Sequence, residues 1–307
     1  MTTKRDFLSL TDLTLAEARR VLDLARVLKA EHRATPAARV GALAGRSVAI
    51  VLEKASTRTR VSFEVGAAHF GMHPVVLTTQ GSQLARGEPI ADTARVLSRY
   101  VDLIVFRTST RERLEGMARS ASVPVINALS DDGHPVQVLC DVLTIEEQLG
   151  RSVQGMRVAW IGDCGSNMAR SFVEAAALFG FHLAASGPKA YWPEESFRAE
   201  ATAHASFGTD TATALAGADV VCTDVWTSMG QEVDNAQRLR DFAGYTLTEA
   251  MLAPARKEAI VMHCLPAHRG EEIDEAVLEG PRSRVWDQAE NRLHVQKALM
   301  LWLLGAA

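Results

Sequence analysis

Ser56-Thr57-Arg58-Thr59-Arg60 packs three hydroxyls and two guanidinium groups into one short stretch. It follows Ser47–Leu52, a short apolar run that reads as a buried strand, and leads into Arg60–Phe70, a helically spaced segment that stops at Gly71. A strand-to-helix junction offers free backbone N–H groups and the positive end of a helix dipole. Hydroxyls add neutral donors, and arginine can grip phosphate oxygens through two parallel hydrogen bonds. The chemistry indicated is anion binding. A Walker loop is excluded, because GxxxxGK[ST] is missing. The same residues would also serve as a helix cap followed by solvated arginines.

Further polar residues fall at the ends of predicted elements. Arg107 closes the strand Asp102–Arg107, where open α/β sheets place ligand contacts. His134-Pro135-Val136-Gln137 opens the long helix His134–Leu149 with an imidazole and an amide. Ile161-Gly162-Asp163-Cys164-Gly165-Ser166-Asn167 joins a strand to a helix but breaks the GxGxxG pattern, so a nicotinamide cofactor is disfavoured. Asn167 there could read a small polar ligand. Asp224-Val225-Trp226-Thr227-Ser228-Met229-Gly230 also leaves a strand. Asp224 could hold an amine and Ser228 a carboxylate, or the stretch is an Asp-capped loop around a packed Trp226. His263-Cys264-Leu265-Pro266 ends another strand. One Cys with His263 and His268 lacks the paired spacing of a structural zinc site. A Cys–His nucleophile is disfavoured too, because adjacent strand side chains point to opposite faces. The proline suggests a tight turn. Arg292, near the start of the last helix, would by itself be a surface arginine.

The elements that must position these residues alternate between strand and helix. His73–Thr78 and Val123–Asn127 read as further strands of a first series, with the helix Ile90–Tyr100 between them. Arg157–Ile161, His182–Ala185, Asp219–Asp224 and Glu258–Cys264 form a second series, and Gln288–Leu304 is a closing amphipathic helix. This predicts an α/β fold of two doubly wound parallel-sheet domains joined by interdomain helices. The expected domains span residues 1–148 and 149–288, with 289–307 packing back on the first. The 307 residues suit two domains, and 47% hydrophobic content is enough for two cores. A net charge of -4 does not suggest a nucleic-acid or membrane-surface partner. No apolar run reaches the ~18 residues that span a bilayer, and the first residues lack the apolar core of a secretory signal. Cys140, Cys164, Cys222 and Cys264 are scattered, as expected of reduced thiols in the cytoplasm.

Taken together and in order, these motifs resemble the aspartate/ornithine carbamoyltransferase family. Ser56-Thr57-Arg58-Thr59-Arg60 is similar to its carbamoyl phosphate signature and His134-Pro135-Val136-Gln137 to its second phosphate-side motif. The Asp224 loop with Ser228-Met229-Gly230 and His263-Cys264-Leu265-Pro266 resemble the ornithine branch. The resemblance covers nearly the whole chain. It implies transfer of a carbamoyl group from carbamoyl phosphate to the side-chain amine of L-ornithine, giving L-citrulline and phosphate, without metal or organic cofactor. It implies that Ser56, Thr57, Arg58 and Thr59 hold the phosphate. Arg107, His134 and Gln137 would hold the phosphate or the carbamoyl group, and Cys264, Leu265 and Arg292 would close around the reacting centre. Asn167, Asp224, Ser228 and Met229 would bind ornithine. The catalytic set would be Arg107, His134, Asp224, Cys264 and Arg292. Gln83 resembles a residue that reaches into a neighbouring subunit, which implies a homotrimer with shared sites. The resemblance further implies that Leu265–Pro266 is cis. Transfer to aspartate is disfavoured, because the Ser228-Met229-Gly230 loop offers no basic clamp for a second carboxylate.

Overall fold

In the computed structural model, which describes residues 4–35, 38–79, 83–227 and 235–307, the apolar runs form parallel strands buried by helices. The chain divides into two units, residues 1–139 with 291–307 and residues 140–290.

The first unit opens with helix α1 (Leu15–Ala34), held at its start by a reciprocal cap between Thr14 and Glu17. Strand β1 (Ser47–Leu52), helix α2 (Thr57–Ala68), strand β2 (His73–Thr78), helix α3 (Ile90–Leu97), strand β3 (Leu103–Arg107), helix α4 (Arg111–Ser120) and strand β4 (Val125–Leu129) follow. The sheet is parallel throughout, in the order β2-β1-β3-β4. β1 and β3 are buried on both faces, as inner strands of a parallel sheet must be. β2 lies at an edge, is half-exposed, and tolerates Pro74 there. The core includes Phe106, Ile104, Leu114 and Met117.

Helix α5 (Pro135–Leu149) carries the chain from the first unit into the second. Strand β5 (Arg157–Ile161), helix α6 (Asn167–Phe179), strand β6 (His182–Ser186), helix α7 (Glu195–Ala201), strand β7 (Ala205–Gly208), helix α8 (Thr211–Leu215) and strand β8 (Val220–Thr223) come next. Helix α9 (Asn235–Asp241), strand β9 (Ile260–His263) and helix α10 (Glu275–Leu278) complete that unit. Its sheet is also parallel, in the order β7-β6-β5-β8-β9. Helix α11 (Val285–Leu303) returns the chain to the first unit. Two doubly wound parallel sheets joined by helices are therefore present, as expected.

Both sheets contain a point where the winding reverses. In the first it lies between β1 and β3, and in the second between β5 and β8. Loops leaving the carboxyl ends of such a strand pair diverge and open a crevice, the usual ligand position in this fold class. Ser56–Thr59 follows β1, Arg107 ends β3, Asn167 follows β5 and Asp224 follows β8.

Element ends differ from expectation for local reasons. The helix expected from Arg60 begins at Thr57, because Ser56 accepts from the Thr59 N–H and caps it. The fourth strand begins at Val125, after Pro124. The helix expected to reach Tyr100 ends at Leu97, where the Ser98 hydroxyl donates to the Ala94 carbonyl. The last helix begins three residues early, at Val285, a fully buried residue.

Candidate active site

In the first unit, the α2 N-terminus gathers the predicted anion ligands. Ser56 and Arg58 are half-buried and Thr57 is exposed, while Thr59 is fully buried. The Thr59 hydroxyl accepts from Arg107 Nη1 at 3.3 Å and from Arg292 Nη2 at 3.0 Å. Arg292 Nη1 donates to Gln137 Oε1 at 2.5 Å. Arg107 is 8% exposed, Arg292 5% and His134 4%, so two buried guanidinium groups converge beside a buried imidazole. Burial, and then the charges of Arg292 and Arg107, hold His134 well below the usual histidine range. The imidazole is therefore neutral at pH 7 and sits in a positive field. Arg292, which by sequence alone could be a surface residue, is one of the most buried charges in the unit. An open cleft of about 580 Å³ beside this cluster is lined by Ser56, Thr57 and Arg60 together with Glu53. Gln83 is exposed, at the start of a short 3-10 turn (Gln83–Arg86).

The second unit holds the rest of the set. Asn167 is half-buried and opens α6, whose cap is Ser166, with Oγ accepting from Ala169 N at 3.2 Å. Asp224 follows β8, and its Oδ1 accepts from the Cys264 thiol at 3.2 Å and from the Val225 N–H at 2.9 Å. Burial raises the Asp224 pKa above the ordinary carboxylate value, and His263 opposes that shift. Leu265–Pro266 is cis, and Leu265 has φ 61°. Ser228 and Met229 lie outside the described residues.

The strand ends at His263, so alternation does not hold Cys264 on the opposite face, and the imidazole is turned to other partners. Its Nδ1 accepts from Leu265 N at 2.9 Å, and its Nε2 pairs with Glu272 Oε1 at 3.0 Å. Asp224, His263 and Cys264 bring one potential ligand atom each within 4.8 Å of one another. With both imidazole nitrogens engaged, His263 has no lone pair left for a cation.

Sequence reasoning missed the supports around these residues. Arg238, on α9, donates to the Trp226 carbonyl and to Asp163 and stacks over the Tyr191 ring at 4.5 Å. It thereby ties the loop bearing Asn167 to the loop bearing Asp224. Thr223 Oγ1 donates to the Ile161 carbonyl at 2.7 Å and closes the same pair of strand ends. An arginine among polar helix residues carries no sequence sign of burial, whereas Asp163 before Gly165 is a legible turn signal, with Asp163 Oδ1 accepting from Gly165 N at 2.9 Å.

A buried cationic cluster on one parallel sheet and a carboxylate–thiol pair on a second are the parts of a group-transferring enzyme with an anionic substrate. Comparison with known proteins gives the class its name. The family model for the aspartate/ornithine carbamoyltransferase carbamoyl-P binding domain matches residues 5–147, and that for the Asp/Orn binding domain matches residues 154–303. The ornithine carbamoyltransferase of Sorangium cellulosum (strain So ce56) is 63% identical over 98% of both chains. That of Acidothermus cellulolyticus (strain ATCC 43068 / DSM 8971 / 11B) is 52% identical over 99% of this chain and 97% of the relative. The solved ornithine carbamoyltransferase from Pyrococcus furiosus is 42% identical, with a TM-score of 0.92, over 99% of this chain and 98% of that one. The chain belongs to the aspartate/ornithine carbamoyltransferase family and is a transferase.

Proposed function

We propose that this chain transfers the carbamoyl group of carbamoyl phosphate to the side-chain amine of L-ornithine, giving L-citrulline and phosphate. The observation that carries the reading is the convergence of buried Arg107 and Arg292 on Thr59 at the N-terminus of α2. Two cations sharing one neutral acceptor leave a positive field, and a phosphate dianion complements it. The similarity to proteins named ornithine carbamoyltransferase supports the choice of acceptor.

In this reading Ser56, Thr57, Arg58 and Thr59 hold the phosphate. Arg107, His134, Gln137 and Arg292 hold the phosphate and the carbonyl oxygen. A neutral amine attacks the carbonyl carbon, the C–O bond to phosphate breaks, and negative charge grows on the carbonyl oxygen and the leaving group. Fixed donors stabilise both, and losing one such donor typically costs about 3 kcal/mol. Neutral His134 donates without adding charge. Asn167, Asp224, Ser228 and Met229 bind ornithine, Asp224 and Cys264 orient its amine, and Leu265 completes the carbamoyl site. Residues 1–148 form the carbamoyl phosphate domain and 149–288 the ornithine domain. The enzyme acts in the cytoplasm, in arginine biosynthesis, as a homotrimer in which Gln83 completes a neighbour's site. No helix among the described residues is long and apolar enough to cross a membrane. The test is product analysis. Purified protein supplied with carbamoyl phosphate and ornithine should release citrulline and phosphate in equal amounts, and aspartate should not replace ornithine. Equal or better turnover with aspartate would overturn the acceptor assignment.

A further inference from the structure

Glu53 introduces a charge of the wrong sign beside the cationic cluster. It follows β1 directly and lines the same open cleft as Ser56 and Thr57. Its backbone N–H donates to the Arg107 carbonyl at 2.9 Å, and its own carbonyl accepts from Thr79 Oγ1 at 3.1 Å. Its carboxylate accepts from the Thr108 hydroxyl, the residue after Arg107. Glu53 thus clips the turn before α2 to the end of β3. That clip fixes Ser56 to Thr59 relative to Arg107, yet a bare carboxylate there would repel a dianionic ligand.

Arg113, on the first turn of α4, cancels that charge. Its Nε donates to Glu53 Oε2 at 3.0 Å and its Nη2 to Glu53 Oε1, a two-pronged pair. The carboxylate side chain is 13% exposed, against 39% for the arginine, so solvent screens the carboxylate little. The next residue, Lys54, pairs with Asp131 at 2.8 Å.

We propose that Arg113 is a positioning residue for anion binding: it neutralises the Glu53 clip, so that the carboxylate shapes the phosphate site without repelling its ligand. The inference rests on the phosphate-side reading above. Its test separates the two, because inorganic phosphate serves as the probe and no turnover is needed. In the full-length protein, Arg113→Met should weaken inorganic phosphate binding, measured by calorimetry, by about tenfold. Arg113→Lys should stay within about threefold of the parent. Adding Glu53→Gln to Arg113→Met should recover most of the lost affinity, because the amide can still accept from Thr108 and carries no charge. A purely structural role for Arg113 would not be rescued by removing its partner. Should Arg113→Met fail to fold, Glu53→Gln alone decides, with unchanged or tighter phosphate binding expected. Unaltered affinity in Arg113→Met, a double variant no better than the single, or markedly weaker binding in Glu53→Gln would overturn the proposal. If these variants behave as expected while citrulline formation is absent, the activity reading fails and this one stands.

Discussion

Histidines are the residues whose burial shows most clearly as a pH dependence. His134 is held well below its ordinary value by burial and by Arg292 and Arg107. His294, 1% exposed, is pushed down to about 3 by burial and then by Lys297 and Lys29. His69, stacked on His32 at a centroid distance of 4.7 Å, is lowered as well, chiefly by burial. A histidine that stays neutral in the folded chain takes up its proton on unfolding. The stability it contributes is complete above the unfolded pKa of about 6.5 and is lost as pH falls through that value. Each such group steepens the loss by up to ~1.4 kcal/mol per pH unit. The urea midpoint should therefore fall between pH 7.5 and pH 5.5, and His294→Gln should flatten the slope. A midpoint independent of pH over this range would contradict the neutral assignments. The candidate site was legible at this scale wherever a polar residue ended an element, as with Ser56, Arg107 and Asp224. Arg238 and Arg113 were not legible. Each pairs with a carboxylate distant in sequence, Asp163 and Glu53, and each sits on a helix that reads as solvated.

Helix α2 and helix α11 must approach closely for Thr59 to meet Arg292, and Gly66 permits it. A Cβ at that position would lie 3.2 Å from Met300 Cε and 3.3 Å from Lys297 Cγ. Those are ends or middles of flexible side chains, so Gly66→Ala should be tolerated. Gly66→Leu has no such room. It should destabilise the protein by roughly 1–3 kcal/mol in urea unfolding and raise the KM for carbamoyl phosphate more than that for ornithine, because Gly66 and Thr59 lie on the same face of α2, about two turns apart, and both face α11. A Leu variant with unchanged stability and unchanged KM values would refute this role. Strands buried on both faces were readable as continuous apolar runs, which is why Ser47–Leu52 and Arg157–Ile161 appear with the expected ends. Helix α1 carries its signal in the Thr14–Glu17 cap, with no residue there that suggests chemistry. The order of strands, and with it the reversal points that explain the site, depends on pairings between distant segments, and local pattern does not encode them.

The whole molecule poses the question of assembly. Gln83 is exposed at the start of its turn, and in the proposed trimer it completes the phosphate site of a neighbour. A contact of that kind is head-to-tail, and such contacts close into rings. Arg58→Ala and Gln83→Ala subunits should each be nearly inactive alone, and mixed oligomers should regain part of the activity, because some sites then draw both residues from unaltered copies. No recovery in verified mixed oligomers would exclude shared sites. The grip on phosphate at the α2 N-terminus during carbamoyl transfer is measured most directly by one ratio: citrulline turnover of the unaltered protein against that of folded Arg58→Ala, with carbamoyl phosphate and ornithine both saturating for the former. A loss of about a hundredfold or more is expected, the usual consequence of removing a preorganised donor to developing charge, with the unfolding midpoint unchanged. Near-normal citrulline formation by Arg58→Ala would contradict it.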